Sequence, residues 1–304
     1  AIKEAIEIAR RAQVPLEISH FKSEGKRNWG KAQERLRLIE SARKEGIDVT
    51  ADFYPYTFAL TFLHSLFPTW IFRDGLEAVP EKLKNPTIRE QLREYFRLAG
   101  DVVGISDVED WRTVVLSNPS NPKYKGKSVL EIAGEQRKDI VDTVCELVQS
   151  EGLSLGILLL WMSEEDVDVI AKHPLIMVGS DGAVVTSPKE MIHPRYYGTF
   201  TRVLGYYVRE KKLMGLEEAV RKMTSLPAQR FGLKDRGVLR EGNYADCVIF
   251  DPERVKDCAT IDEPNKLSEG IEYVIVNGTV VFEHGKFAGK YPGKILRKKV
   301  KENC

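Results

Sequence analysis

Two short stretches, Ile18-Ser19-His20-Phe21-Lys22 and Val178-Gly179-Ser180-Asp181-Gly182, predict the fold of this chain. Each is an apolar, β-branched run that ends abruptly in a polar residue able to do chemistry. Strands that carry such residues at their C-terminal tips are typical of α/β barrels, which build their active sites at that end. An imidazole can bind a metal ion, and a carboxylate can bind a metal or move a proton. The prediction depends on whether His20 and Asp181 converge in space.

The sequence around His20 predicts helices and strands in the alternating order of a parallel α/β fold. Residues 1–13 predict an amphipathic helix, and residues 14–19 predict a buried strand. Residues 31–45 carry apolar side chains at the spacing of one helix face, and residues 47–53 read as the next strand. This β-loop-α-β order is the repeating unit of parallel α/β proteins.

This alternation of helices and strands stops after Tyr54-Pro55-Tyr56. The following stretch predicts short helices, one strand at residues 112–116 and a helical pattern over residues 128–150. The α/β pattern returns at Ser163, which can cap a helix, and continues into a strand at residues 175–179. A further helix is predicted over residues 216–224.

The C-terminal segment is predicted to contain only β structure, with a strand at residues 247–250 and a hairpin centred on Asn277-Gly278. A complete eight-stranded barrel takes about 250 residues, and only three convincing barrel strands precede this tail. We therefore predict about half a barrel. The expected segments are a barrel portion at 1–56, an insertion at 57–162, a second barrel portion at 163–235 and a small β unit at 236–304. The chain begins inside a helical pattern without a cap, and we interpret it as a fragment.

Composition excludes several function classes. The 304 residues include 46 basic and 45 acidic side chains, so net charge gives no argument for nucleic-acid or membrane partners. Four cysteines form no CxxC pair, and no signal peptide is visible, which favours a reduced, cytoplasmic protein. No GxGxxG, GxSxG or GxxxxGK[ST] motif occurs, so dinucleotide, serine-hydrolase and P-loop interpretations lack support.

Three residues at the two strand tips have a chemical and a structural interpretation. His20 is either a metal ligand or a core histidine bonded to a carbonyl group. Lys22, which we expect on the same face as His20 because strand side chains alternate, either holds a substrate carboxylate or is a solvated loop lysine. Asp181 is either catalytic or a helix N-cap.

Two further places carry candidate side chains. Tyr54 follows the second strand and either donates a hydrogen bond to an oxyanion or is a packed aromatic residue. His193-Pro194-Arg195 follows Asp181, and Arg195 is either a two-pronged carboxylate donor or part of a surface salt bridge.

Taken together, these pieces resemble the D-aminoacylase, or N-acyl-D-amino-acid deacylase, family of the amidohydrolase superfamily. The segments that carry the resemblance include SHFKSEGKRNWGKA (19–32), DFYPY (52–56), MSEEDV (162–167), GSDG (179–182), HPRYYGTFTRVLGYYVRE (193–210) and MTSLPAQRFGLKDRGVLREGNYADCVIFD (223–251). The resemblance implies a metal-dependent (β/α)8 barrel with a small β domain and an insertion after the Tyr-Pro-Tyr strand.

The resemblance also implies a zinc site and its chemistry. His20 is similar to a zinc ligand at the sixth barrel strand, and Asp181 to the metal-site acid/base at the eighth. The family's His-x-His pair, its Cys ligand and its other late His ligand have no counterpart here and are expected upstream of residue 1. A catalytic zinc ion takes about three protein ligands, so His20 alone cannot hold one tightly.

The remaining roles carried over by the resemblance concern the substrate. Lys22, Tyr54, Arg195 and His193 would bind the substrate. Lys22 and Arg195 would hold the carboxylate of an N-acyl amino acid, with His193 beside Arg195, and Tyr54 would contact the substrate and its oxyanion. The expected activity is zinc-dependent hydrolysis of N-acyl amino acids, with N-acyl-D-amino acids favoured by the family alone. The alternatives are another amide hydrolase, hydantoinase-like or dipeptidase-like, and a non-catalytic structural or interaction fragment.

Overall fold

A parallel sheet carries both of the stretches that predict the fold. The structure is a computed structural model in which residues 1–98, 108, 110–186 and 192–297 are described. Strands β1 (Leu16–Ile18), β2 (Val49–Phe53) and β6 (Ile176–Val178) lie in the order β1-β2-β6, and both pairings are parallel. The carboxyl ends of parallel strands share one edge of the sheet, so the segments after all three strands meet there. The predicted α/β class is confirmed.

Helices connect the strands of this sheet and make up much of the region between them. Within the described residues they are α1 (Ile2–Ala12), α2 (Ala32–Lys44), α3 (Val79–Lys82), α4 (Pro86–Leu98), α5 (Val129–Gln136), α6 (Ile140–Glu151), α7 (Glu164–Lys172), α8 (Arg195–Arg202), α9 (Leu216–Met223) and α10 (Ser225–Phe231). The π-helical segment Val203–Glu210 continues α8. None of the described helices has the length and apolar character needed to cross a membrane.

The pattern over residues 128–150 is two helices rather than one. Arg137 adopts a left-handed conformation with φ of 55°, which ends α5. Asp139 then caps α6 by accepting a hydrogen bond from the backbone N–H of Asp142 at 3.0 Å. Side-chain periodicity continues across this break, and only the backbone geometry shows it.

The two faces of the parallel sheet differ in character. On the helix-covered face, Val49, Ala51 and Phe53 are buried in the main hydrophobic core. On the opposite face Glu17 accepts a hydrogen bond from the Thr50 hydroxyl, its neighbour in the strand register. Burial raises the pKa of Glu17 to about 7. The sheet is therefore apolar toward its helices and polar on the other side.

The region predicted as an insertion contains a second sheet. Strands β3 (Ala59–Phe62), β4 (Val114–Leu116) and β5 (Gly156–Leu159) pair antiparallel in the order β3-β5-β4. The prediction of a single strand in this region was wrong. All four residues of β5 are buried, so its sequence lacks the alternation that marks a half-exposed strand.

The C-terminal β unit is confirmed as a separate sheet. Strands β7 (Cys247–Phe250), β8 (Ile271–Val276), β9 (Thr279–Glu283) and β10 (Lys286–Phe287) form an antiparallel meander in the order β10-β9-β8-β7. Asn277 and Gly278 connect β8 and β9 with φ values of 48° and 77°, as the predicted tight hairpin requires. Cys304, one of the four cysteines, lies outside the described residues.

A buried carboxylate ties α7 to the start of α2. Asp166 is 3% exposed, and its oxygens accept hydrogen bonds from the backbone N–H groups of Gly30 at 2.8 Å and Ala32 at 2.9 Å. Ser163 caps α7, as predicted, by accepting a hydrogen bond from the Asp166 N–H at 3.1 Å. The loop that follows His20 is thus anchored to the helix that precedes β6.

We expect Asp166→Ala to lower the free energy of unfolding by about 2–4 kcal/mol. The substitution leaves two backbone N–H donors unsatisfied, at about 1–3 kcal/mol each, and local relaxation of the structure recovers part of this cost. Asp166→Asn keeps one acceptor oxygen and should lose about half as much. Urea denaturation of both variants measures the difference. Equal stability of wild type and Asp166→Ala would show that water replaces this carboxylate without cost.

Candidate active site

His20 lies at the carboxyl edge of the parallel sheet with its imidazole available to a ligand. The residue is exposed, and its backbone is left-handed, with φ of 40°. Its backbone N–H donates a hydrogen bond to Oδ1 of Asp52 at 2.8 Å. Among the described residues neither ring nitrogen of His20 has a hydrogen-bond partner. The alternative of a core histidine bonded to a carbonyl group is therefore wrong.

Lys22 and Tyr54 form a second pair at the same edge. Lys22 Nζ donates a hydrogen bond to the Tyr54 hydroxyl at 3.3 Å, and both residues line a small cavity together with His20. The strand-alternation argument that put Lys22 on the face of His20 was wrong, because β1 ends at Ile18. A turn, rather than strand geometry, brings the two side chains to one cavity.

Asp181 is held by Arg195. Its carboxylate Oδ2 lies 2.6 Å from Arg195 Nη2, and its backbone carbonyl accepts a hydrogen bond from Arg195 Nε at 3.1 Å. The Arg195 side chain is 5% exposed, whereas that of Asp181 is 41% exposed. The pair is therefore not a surface salt bridge. Asp181 caps none of the described helices, and α8 begins only at Arg195.

Tyr54 lies between two cations. The Arg195 guanidinium carbon is 4.5 Å from the Tyr54 ring centroid, and Lys22 Nζ is 5.5 Å from it. Burial raises the pKa of the Tyr54 phenol, and the two positive charges partly oppose this rise. The phenol is thus held in its protonated, hydrogen-bond-donating form at neutral pH. Tyr54 is a packed aromatic residue and a polar contact at once.

His193 is buried behind Tyr54 and Arg195 and is hydrogen-bonded to Arg195. It is fully buried, its Nε2 lies 3.1 Å from the Phe58 carbonyl, and its Nδ1 accepts a hydrogen bond from the Arg195 N–H at 2.9 Å. The ring stacks on Phe58 with centroids 4.3 Å apart. These bonds require a neutral ring protonated at Nε2. Both nitrogens are used within the chain, so His193 contacts Arg195 rather than the open edge.

Asp52 is the residue that the sequence reasoning missed. It is the fourth residue of β2, and its carboxylate lies between the tips of β1 and β6, close to His20 and to Gly179. Burial raises its pKa, the charge of Asp181 adds to this rise, and the hydrogen bond from His20 opposes it. The sequence could have pointed to Asp52, because it places a carboxylate inside a predicted strand and an acidic residue is rare at a buried strand position.

Within the part of the chain that the structure describes, the donors at this edge do not form a metal site by themselves. The described residues contain no group of three or more His, Cys, Asp or Glu side chains able to hold a metal ion. The open imidazole of His20 and the exposed carboxylate of Asp181 are nevertheless the donor types that zinc takes. The chain therefore fits a zinc centre as a contributor of ligands and needs further donors to complete it.

The buried neutral state of His193 predicts a pH dependence of stability. Burial, and then the positive charge of Arg195, hold the pKa of His193 well below its ordinary value. The unfolded chain binds this proton with a pKa near 6.5, so the stabilisation is complete above that pH and is lost as the pH falls below it.

From pH 7.5 to 5.5 we expect wild type to lose about 1.4 kcal/mol of unfolding free energy that a His193→Gln variant does not lose. Urea denaturation at the two pH values gives this difference, and comparison with the variant cancels the other titrating groups. Parallel curves for the two proteins would contradict a neutral His193.

Comparison with known proteins connects this site to a family. Residues 147–282 match the sequence profile of the amidohydrolase family. The chain is 37% identical over 298 residues to N-acyl-D-glutamate deacylase of Alcaligenes xylosoxydans xylosoxydans, a match that covers 98% of the chain and 51% of the relative. It is 36% identical over 296 residues to D-aminoacylase of the same organism, covering 97% and 51%.

A solved structure agrees with these sequence matches. The N-acyl-D-glutamate deacylase of Bordetella bronchiseptica, complexed with zinc and a phosphonate mimic of the tetrahedral intermediate, superposes with a TM-score of 0.75 at 34% identity. The match covers 98% of this chain and 53% of that structure. The chain thus spans about half the length of the relatives it matches. Sequence and structure together show that this chain is similar, over nearly its whole length, to about half of each of these amidohydrolase-type deacylases.

Proposed function

We propose that the protein containing this chain hydrolyses the amide bond of N-acyl-D-amino acids with the help of zinc, releasing a carboxylate and a free amino acid. The observation that carries the proposal is the shared sheet edge, where an open imidazole, a carboxylate and a lysine follow β1 and β6. The related deacylase is complexed with zinc and a phosphonate mimic of the tetrahedral intermediate, which supports this chemistry.

His20 and Asp181 would hold the metal together with ligands from outside the described residues. Zinc bound there would supply Lewis acidity to a water molecule and to the substrate carbonyl. The Asp181 carboxylate would accept the proton from the attacking water and return it to the leaving amine. Arg195 holds one carboxylate oxygen, and the other oxygen, Oδ1, has no hydrogen-bond partner within the described residues, so it can carry the proton.

The substrate carboxylate would be bound by the two cations around Tyr54. Lys22 Nζ is half-buried beside the Tyr54 hydroxyl, and a substrate oxygen could replace or bridge that contact. Arg195 uses Nε and Nη2 for Asp181, which leaves Nη1 for the substrate. The Tyr54 phenol, protonated at neutral pH, would donate to the oxyanion. His193 would orient Arg195 rather than touch the substrate.

The parallel sheet would be part of a closed barrel. The face that carries Glu17, Thr50 and Asp52 is a polar surface suited to face other strands across a barrel interior that holds an active site. In this arrangement the barrel portions are the segments 1–56 and 163–235, with the insertion at 57–162 and the β unit at 236–304. The missing metal ligands would come from the remaining strands.

Partners and location follow from the same chemistry. We propose small N-acyl amino acids as the partners of this edge, without nucleic acid or membrane, because the 46 basic and 45 acidic side chains of the chain nearly balance. The free thiols of Cys145, Cys247 and Cys258 are consistent with a reducing, cytoplasmic compartment.

The proton-transfer role of Asp181 predicts a large kinetic effect. We expect Asp181→Asn in the full-length protein to lower kcat by roughly 10²–10⁴-fold, because the amide cannot accept the proton. Hydrolysis of N-acetyl-D-amino acids measures it. Asp74→Asn is the matched control, since Asp74 is exposed and pairs with Lys82 at 2.8 Å. Full activity of Asp181→Asn would remove this residue from the mechanism.

The carboxylate-binding role of Lys22 predicts an effect that depends on the substrate. We expect Lys22→Met to lower kcat/KM for N-acyl-D-amino acids by roughly 10- to 100-fold, the value of a charged hydrogen bond. The corresponding amino-acid amides lack the carboxylate and should show a change of less than about 3-fold on the same scale. Lys31→Met, an exposed lysine of the same loop, is the control. Equal losses on both substrates would argue against this role.

A further inference from the structure

We propose that Asp52 is the positioning residue for His20, holding the backbone turn that aims the imidazole at the metal site. This inference rests on the proposed function for its consequence, and on the geometry of the chain for its cause. The motif around Tyr54 was interpreted through its aromatic residues, and the function proposed above gives Asp52 no role in the reaction. Its carboxylate is nevertheless the one that contacts the backbone of His20.

The conformation of His20 needs support. A left-handed backbone costs an L-residue roughly 1–2 kcal/mol, because Cβ approaches the carbonyl oxygen. His20 adopts φ of 40° immediately after β1. Asp52 Oδ1 accepts the His20 N–H at 2.8 Å, and the next backbone N–H, of Phe21, donates to the Asp52 carbonyl at 2.7 Å. Both consecutive N–H groups of the turn are therefore bound by one residue of the neighbouring strand.

The neighbouring strand tip leaves room for the Asp52 carboxylate at this position. A Cβ atom at Gly179 would lie 3.0 Å from Asp52 Oδ1, tighter than ordinary contacts, so glycine at this position leaves room for the carboxylate. Gly179 in turn donates its N–H to the Phe53 carbonyl at 2.9 Å. The carboxylate consequently occupies the space next to Gly179, between the tips of β1 and β6.

At the tip of β6 a charged side chain also binds the backbone of the tip residue, and there the charge is positive. Asp181 is also left-handed, with φ of 44°, and Arg195 holds both its backbone carbonyl and its carboxylate. Each proposed reactive residue is thus a strained tip residue bound at its backbone by a charged side chain from another element. Strained backbone persists only where the surroundings hold it, and it concentrates at functional sites. This parallel supports a positioning role for Asp52 rather than a general contribution to stability.

Two variants of the full-length protein test the proposal. Asp52→Ala removes the acceptor, and Asp52→Asn keeps an oxygen at the same place. In zinc-free protein labelled with ¹⁵N-histidine, we expect the His20 amide resonance to move upfield in Asp52→Ala and to stay near its wild-type position in Asp52→Asn. Chelator competition should show zinc affinity lowered by about 10- to 100-fold in Asp52→Ala, as for other supporting groups of metal sites. Asp52→Asn should stay within about 3-fold of wild type on the same scale.

Asp139→Ala is the control, because it removes another carboxylate that accepts a backbone N–H group, at the start of α6 and away from this sheet edge. It should lower stability without changing the His20 resonance or zinc affinity. The proposal is overturned if Asp52→Ala keeps both wild-type values, or if Asp52→Asn loses as much zinc affinity as Asp52→Ala. Absence of zinc binding and deacylation in the wild type would instead contradict the proposed function, while the amide measurement would still report on Asp52.

Discussion

The parallel pairing of β2 with β1 on one side and β6 on the other is the constraint on which the site depends. Hydrogen bonds continue just past the strand ends, from Phe21 to the Asp52 carbonyl and from Gly179 to the Phe53 carbonyl. This register puts the residues after Ile18 and Val178 at the same height. Antiparallel pairing would send the two tips to opposite ends of the sheet, and no local sequence preference could then bring His20 and Asp181 to one edge.

Buried charge is the second organising force at this edge. Arg195 is almost fully buried, and such a charge is tolerated only where partners replace its hydration. Asp181 supplies the ionic partner, the Tyr54 ring supplies a π face, and the neutral His193 accepts the backbone N–H of Arg195. The cost of burying the guanidinium is thereby offset by groups that also orient it. The result is a carboxylate held by Arg195, the first residue of α8, which Tyr54 and His193 orient in turn.

Sequence reasoning named His20, Asp181 and Arg195 and missed Asp52, the residue that binds the backbone of His20. His20 and Asp181 stand out because each ends an apolar run. Asp52 lies inside a strand pattern, and His193 looked like a neighbour of Arg195 in a surface motif. The roles of Asp52 and His193 come from contacts with residues 32 and 135 positions away, respectively, which no window of sequence displays. Strand β5 was missed for a related reason, since burial on both faces removes the alternation that identifies a strand.

The amino-acid sequence by itself determined the α/β order of elements, the Asn277-Gly278 hairpin and the polar residues that end β1 and β6. These features depend on local preferences: side-chain periodicity, turn residues with positive φ, and abrupt changes in polarity. Only the tertiary structure decided that Asp181 is held by Arg195, that Lys22 meets Tyr54, and that Asp52 supports the turn at His20. Such contacts join segments far apart in the chain, and their energies depend on burial and distance, which exist only once the chain has folded.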